Sequence, residues 1–488
     1  MTTNIFSNIL SPSVRVVEST QGYRSLEIAS HQTVYMIGSA ETGATLTPTQ
    51  VISLEDFTNV FGASPSENAV KLFFRNDRRG ILYFINAPIA KRFTVTVDTA
   101  TQGADYTVTI NGVDVTYTAQ IGDTVDSIAS ELISAVNLSA EADTVTASSG
   151  AATDELVVRV DDPLDTSLTV TVNANMSVAD STPNSPSSID YVYAIENSFD
   201  VEDAYEQGFL IAPEAFTLLT DQSDRLSVGL AMEAHASNDQ FDWVALIDAG
   251  ASLTPVQAKA EGLLYNSPQG HSSFFYPHLV DLEDGVVPAS AGVAGVATRR
   301  FKDEGFQQPP AGAKFPVLGV KDVVTKVSTQ VQDTLNPDGI NVVRNLRNKG
   351  VVVWGMRTRS SSEFYKFINT RVIMNVLNGT LRKGFDNELF SVIDGQGVLL
   401  NSISQTAAKV CSRLWRGKAL FGATEVEAFE VKCDFENNTP EELEQGNVLL
   451  EVYVVPAPAM EKLLISTIRV SIGTLPQNEN QVAFTPLN

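Results

Sequence analysis

Two periods of hydrophobic and polar residues alternate along this chain, and each switch between them predicts a change of architecture. HQTVYMIGSA (31–40) is a nearly continuous apolar run ending on small residues, the pattern of a strand buried on both faces of a sheet. SLEDFTNVFG (53–62) opens on serine, places Glu55 and Asp56 in its first turn and stops at Gly62, which predicts a short capped helix. AVKLFFRNDRRGILYFINAP (69–88) then reads as helix, turn and a second buried strand. Strand, helix, helix, strand is the order of an α/β layer.

From Phe93 to Pro183 the period falls to two. FTVTVDTA, YTVTINGVDVTYTA, DELVVRV and SLTVTVNA alternate polar and β-branched residues, and Asn111-Gly112 offers a hairpin turn. One helix, DTVDSIASELISAVNLS (123–139), interrupts these strands. The α/β style resumes at YVYAIENS (191–198) and runs through the expected helices DVEDAYEQG and DQSDRLSVGLAMEAHASN to the strand FDWVALIDA. A block of foreign composition between two stretches of one style predicts a domain inserted into a loop of an α/β module.

Beyond PVLGV (316–320) a further module is expected. It contains a strand in GVVVWGMRT, a long helix over SSSEFYKFINTRVIMNVLNGTLRKG (360–384), a helix over SISQTAAKVCSRLWRGKAL, and strands in FEVKCDF and NVLLEVYVVPAPAMEKLLISTIRVSIG. SVRVVE (13–18) reads as a short strand on an arm. The expected fold class is thus α/β multidomain: a core with a β-rich inserted domain and extended terminal arms. The expected boundaries are an amino-terminal arm at 1–24, a middle α/β domain from 25–92 and 184–312, the insert at 93–183, a carboxyl-terminal α/β domain at 313–464 and a final strand and arm at 465–488.

Composition supports several modules. At 488 residues the chain exceeds one core, since cores stop growing near ~250–300 residues. With 43% hydrophobic and 19% charged residues it is globular rather than disordered. A formal net charge of −25 disfavours whole-surface attraction to nucleic acid or anionic lipid, so no direct contact with nucleic acid and no membrane insertion are expected. The insert holds 14 acids and one base, Arg159, and so more than half of that charge. Cys411 and Cys433 are expected to be core thiols of a reducing compartment. MTTNIFSNIL lacks a basic stretch followed by an apolar run, so no signal peptide is expected, and the protein is expected to be made in a cytoplasm.

Chemistry finds little support. His271 and His278 stand seven apart with no neighbouring Cys or Asp, which matches no metal-ligand spacing. DLEDG and DDPLD lack the alternating ligands and closing Glu of a calcium loop. There is no G-x-S-x-G elbow, no H-E-x-x-H and no P-loop, so no catalytic residue, metal or cofactor is expected. PASAGVAGVATRRFKDEGFQQPPAG (288–312) has glycines followed by Arg299 and Arg300, yet neither a full G-x-G-x-x-G nor a Gly-Lys-Ser. The expected role of AGVAGVA (291–297) is a small-residue helix face that admits another backbone.

One segment breaks the acidic trend: 341–384 contains nine bases and a single acid, Glu363. It reads either as ordinary surface charge or as a face for an acidic partner, carried by Lys366, Arg371, Arg382 and Lys383.

SVRVVESTQGYRSLEIASHQTVYMIGSAETG, VISLEDFTNVFG, AVKLFFRN, VPASAGVAGVATRRFKDEGFQQPPAG, GINVVRNLRNKGVVVWGMRT and VLLEVYVVPAPAMEKLLISTIRV resemble, in this order, successive blocks of the tail sheath proteins of contractile-tailed bacteriophages. NDRRG (76–80) departs from the Asn-Gly-Gly common at that turn. The resemblance implies a non-enzymatic virion subunit, assembled in the host cytoplasm, that stacks as hexameric rings in a helical lattice around a tail tube. The partners implied are other sheath subunits, the tube protein, and baseplate and neck or terminator proteins. Contraction of the lattice would drive the tube through the host envelope. The resemblance also implies terminal arms that add strands to neighbouring subunits, with Val14, Val16, Glu18, Ile468, Val470 and Ile472 as the matching positions, and a carboxyl-terminal domain that lines the tube, faced by the four bases named above. The sheath of a headless tailocin or extracellular injection system is the alternative. An α/β enzyme with an acidic accessory domain and a surface adhesin are the competing classes.

Overall fold

The computed structural model describes residues 26–199, 205–238, 241–467 and 469. β1 (Thr33–Gly38) is buried along its whole length. After β2 (Thr49–Val51), helix α1 (Leu54–Phe61) starts where the Ser53 hydroxyl accepts the Asp56 N–H at 3.0 Å. It ends at Gly62, whose φ of 67° favours glycine. α2 (Glu67–Asn76) and β3 (Ile81–Asn86) follow.

The period-two block forms β4 (Arg92–Val97), β5 (Asp105–Ile110), β6 (Val113–Thr118), α3 (Val125–Asn137), β7 (Val145–Ser149), β8 (Glu155–Val160), β9 (Val170–Val172) and β10 (Met176–Asp180). Asn111 and Gly112, both at positive φ, join β5 to β6 in a turn whose twist suits a hairpin. The strands pair as β10-β4-β8-β7 and β6-β5-β9. Ile128, Leu132 and Val136 of α3 pack with residues of both sheets, giving the block a hydrophobic core of its own.

Beyond the block come α4 (Ser188–Asn197), β11 (Gly208–Ile211), α5 (Pro213–Leu218), α6 (Gln222–Ala236), β12 (Val244–Asp248), α7 (Pro255–Gly262), β13 (Ser272–Tyr276), β14 (Leu279–Asp281), β15 (Val286–Val287) and α8 (Ala289–Glu304). The remaining described elements are β16 (Val320–Val323), α9 (Thr329–Leu335), β17 (Ile340–Leu346), β18 (Gly350–Val353), α10 (Ile368–Phe385), α11 (Val398–Arg416), α12 (Glu425–Ala428), β19 (Phe429–Lys432), α13 (Pro440–Glu444) and β20 (Glu451–Val454).

Eight strands form the central sheet in the order β18-β17-β13-β12-β11-β1-β3-β2. Pairing is parallel from β17 to β3 and antiparallel at both edges. Alternate residues serve opposite faces. Val34, Met36, Leu82, Phe84, Phe209 and Leu246 belong to one core, under α1, α2, α8 and α10. Tyr35, Ile37, Leu210, Ala245, Ile247 and Phe274 belong to the other, under α4, α5, α6 and α9. Burial on both faces is what a near-continuous apolar strand requires.

Helix α8 is the AGVAGVA stretch, and it packs. A Cβ added at Gly295 would lie 2.6 Å from Asn76 Cβ and 3.0 Å from the Phe73 carbonyl oxygen, so α8 runs directly against the backbone of α2. The insert is tied to the body by a buried carboxylate. Asp190, in the first turn of α4, accepts from Arg159 Nη2 at 3.0 Å and from the Ser187 N–H at 2.8 Å, with Arg92 Nη2 at 3.7 Å. Arg159, the one base of the acidic block, is therefore spent on its attachment.

Three expectations need correction. The helix expected over DVEDAYEQG (200–208) lies partly outside the described residues, and its described end is not helical: Gly208 opens β11, where a Cβ would lie 2.0 Å from the Thr33 carbonyl oxygen of β1. The break expected at residue 312 does not divide the sheet. β17 and β18 continue it, and Gly312 and Val317 donate backbone hydrogen bonds to Val353 and Val351 at 2.8 Å, covering the outer edge. The long helix expected from residue 360 starts only at Ile368; a short 3₁₀ turn, Glu363–Tyr365, precedes it.

On the second face, Tyr35 stacks on Trp243 with ring centroids 4.0 Å apart, and Phe199, Phe241 and His235 surround the pair. His235 Nε2 is buried without a partner, and loss of hydration pushes the ring pKa down to about 4 from 6.5.

Two outcomes follow from this packing. Gly295→Ala is expected to lower the unfolding free energy by about 1–3 kcal/mol through overpacking against α2, whereas Gly395→Ala, in open space, changes it by less than about 0.5 kcal/mol, both read by chemical denaturation. Between pH 6.5 and 4 the unfolded chain protonates His235 while the folded chain refuses the proton, so stability falls as pH falls through this window. His235→Phe should make that decline shallower by about 1.4 kcal/mol per pH unit, measured by denaturation at stepped pH; an unchanged slope would refute the assignment.

Candidate functional site

Open α/β sheets take ligands at the carboxyl ends of their strands, where connections diverge to opposite faces. Here that place lies at the end of β1: α1 and α2 lead to β3 over one face, and α5 and α6 connect β11 to β12 over the other. The crevice is filled by the protein. Glu214, in the first turn of α5, accepts hydrogen bonds from the Ser39 N–H at 2.9 Å, Ser66 Oγ at 2.6 Å, Tyr191 OH at 2.7 Å and the Ser39 hydroxyl. A Cβ at Gly38 would sit 2.0 Å from Ser66 Oγ, so even a methyl group lacks room.

Other chemical groups are likewise spent internally. His271 Nδ1 lies 2.9 Å from the Trp243 carbonyl, and His278 Nε2 lies 2.7 Å from that of Ala249. Asp248, at the end of β12, accepts the Ser290 N–H at 2.8 Å at the start of α8, and burial pushes its pKa up to about 7. Cys411 and Cys433 are buried and unpaired, and desolvation pushes the Cys411 thiol up to about 12, away from the reactive thiolate. Among the described residues no three His, Cys, Asp or Glu side chains are grouped to hold a metal. No described helix is long and apolar enough to cross a membrane.

The four bases expected to face a partner do not form one face. Arg371 is buried: it donates to Asn375 Oδ1 at 2.6 Å, lies over the Tyr365 ring at 5.3 Å, and desolvation lowers its pKa. Its expected role at a partner surface is therefore corrected, because α10 turns it toward the sheet. Lys366 lies before α10 and pairs with Glu363 at 2.9 Å; Arg382 pairs with Asp242 at 2.8 Å and Lys383 with Glu206 at 2.9 Å. Arg357 grips Glu461 at 2.7 and 2.8 Å, and Arg359 is buried. The four expected bases are thereby separated from one another.

The described chain is fastened to the body where it enters and where it leaves. The Leu26 carbonyl accepts from Arg413, the Ala29 N–H donates to Thr380 Oγ1 at 2.9 Å, and Leu26 packs on Gly384, so the amino-terminal entry is fastened along α10 and α11. The carboxyl-terminal exit is fastened by Glu461, held by Arg357 and by Asn336 at 2.9 Å. Beyond that clamp Leu463, Leu464 and Ile465 are exposed. The clamp links residues 104 apart, and no spacing rule announces it.

β19 and β20 pair only with each other among the described strands, so their ladder ends after two strands. Phe421, Val426, Phe435, Tyr453 and Val455, in and around this hairpin, are exposed. A two-stranded ladder with apolar side chains in water is incomplete as a sheet. Val14, Val16, Glu18, Ile468, Val470 and Ile472, the positions expected to exchange strands, lie outside the described residues.

No protein-family profile matches the chain. The tail sheath protein of Enterobacteria phage T4 is 25% identical over 214 residues, which make up 43% of this chain and 31% of that protein's length. Among solved structures, the helical sheath of the anti-feeding prophage in its contracted state superposes with a TM-score of 0.59 at 18% identity, covering 94% of this chain and 98% of that one. The sheath of an extracellular contractile injection system, PVC, also contracted, gives 0.58 at 15% identity, covering 94% and 97%. The chain thus shares the fold of contractile sheath proteins over almost its whole length, and over 43% of it is similar in sequence to a phage tail sheath protein.

Proposed function

We propose that this chain is the sheath subunit of a contractile tail. It polymerises as hexameric rings, stacked helically around a tail tube, and the lattice contracts to drive the tube through a host envelope. The observation that carries this reading is the sheath fold over 94% of the chain joined to sequence kinship with the T4 tail sheath protein. The filled crevice at Glu214 and the two-stranded hairpin support a role in assembly rather than catalysis. The partners are other copies of the chain, the tube protein, and the baseplate and neck or terminator proteins, within a tail assembled in the host cytoplasm.

In this reading the arms supply the missing strands. Residues 13–18 and 465–472 of neighbouring copies add to the β19–β20 hairpin, where backbone hydrogen bonds attach without demanding particular side chains. Lys366, Arg382 and Lys383 keep side chains that reach solvent and are retained as candidates for the tube contact. The acidic insert, with its own core, projects outside the lattice. A sheath of a headless injection particle is the second reading, favoured by the architecture shared with PVC and the anti-feeding prophage; capsid and terminase genes beside this one would decide between them.

Purified full-length chain is expected to form striated tubes or short rings in negative-stain microscopy. Deletion of residues 1–20 should leave a folded monomer with an unchanged melting temperature that no longer polymerises, because the fastened entry starts at Leu26. Normal tubes from the deleted chain would sink the strand-exchange reading.

A further inference from the structure

A pocket of about 450 Å³ opens between the Asp338–Gly339 turn and the serine run 360–362. Arg357, Arg359 and Lys366 line it. Arg357 is neutralised by Glu461, Lys366 by Glu363, and Asp338 by Lys259. Arg359 is different. It is 8% exposed, donates to the main-chain carbonyls of Tyr265, at 3.2 Å, and Asp338, and leaves Nε without a partner. No carboxylate among the described residues lies within ion-pair distance of it. Removing a guanidinium from water without a counter-ion is costly, so this charge stands where an anion is missing.

We propose that this pocket is an oxyanion site that receives one carboxylate from a second copy of the chain, a contact that rests on the self-assembly proposed above. One uncancelled positive charge matches a monovalent carboxylate better than a phosphate ester, which carries about −1.5 to −2. Arg359 offers the carboxylate its uncompensated charge, both Nη groups being held by carbonyls, and Ser361, exposed on the lining, adds a hydroxyl donor. The source is at hand: with 58 acids against 33 bases, every neighbouring copy presents carboxylates. Because the pocket shares Arg357 with the Glu461 clamp, its occupant meets the subunit where the carboxyl-terminal segment leaves.

The test uses full-length chain in thermal melts at fixed ionic strength, with chloride exchanged for acetate or phosphate, alongside pelleting of assembled material. Acetate should raise the wild-type midpoint, and Arg359→Gln should abolish that rise. Ser361→Glu plants a carboxylate at an exposed position, so it stays folded and decides the matter even where the arginine variant does not fold. It should raise the midpoint in chloride, erase the acetate response and increase the concentration needed for assembly about tenfold or more. A wild-type midpoint indifferent to acetate, or Ser361→Glu assembling as the wild type does, overturns the proposal. A larger response to phosphate than to acetate reassigns the site to free phosphate and overturns the carboxylate. An acetate response in a chain that never pellets overturns the second copy as its source and, separately, the self-assembly reading.

Discussion

Everything else in this molecule hangs from a sheet that must be dry on both faces. β1 lies inside it, with β11 on one side and β3 on the other, and its side chains alternate between two separate cores. A strand so placed has no surface to offer a partner. Contact surfaces are therefore displaced to the sheet's ends, to inserted sequence and to the terminal segments. The amino-terminal segment enters directly into β1, so a load applied to that arm passes through two parallel ladders at the centre of the fold rather than peeling an edge strand.

Charge is organised by the same constraint. In a chain of net charge −25, bases are scarce, and most of those in the basic segment hold this protein's own groups in place. Arg382 pairs with Asp242, Arg357 clamps Glu461, and Arg371 secures α10 over a polar layer that includes Asn375 and His31. Exposed pairs such as Lys383 with Glu206 contribute only about 0.2–1 kcal/mol each, but the buried ones are costly to break from one side only. Arg159 with Asp190 is of the second kind, so the insert is attached at a definite orientation despite its soluble, self-contained composition.

Features set by neighbours in sequence were legible in it. Ser53, Gly62 and Asn111-Gly112 act through backbone geometry within a few residues, and each produced the cap or turn expected of it. The glycine face of α8 was legible because only close approach explains two glycines among alanines and valines. Features set across the fold were not. Nothing in the local pattern shows that Arg371 turns inward, because a charged residue on an amphipathic helix reads as exposed until the packing of α10 is known. The continuity of β17 and β18 with the main sheet was hidden for the same reason: strand pairing over a crossover leaves no mark in the strand itself. Of the candidate contact surface, the hairpin strands were legible, but not the Arg357–Glu461 clamp or the isolation of Arg359.

A densely packed body limits how a lattice of such subunits changes state. Interiors at crystal-like density do not deform continuously, so two lattice states must differ in how subunits meet rather than in how each sheet is built. The described places where such a difference enters the body are its boundaries: the fastening at Leu26, the Glu461 clamp, and the two strands that lead into and out of the insert. The first two carry the proposed strand exchange. Both are fastened to the same body, at α10 and at Arg357, so in the proposed strand exchange a displacement of one subunit is handed to its neighbours at two fixed points.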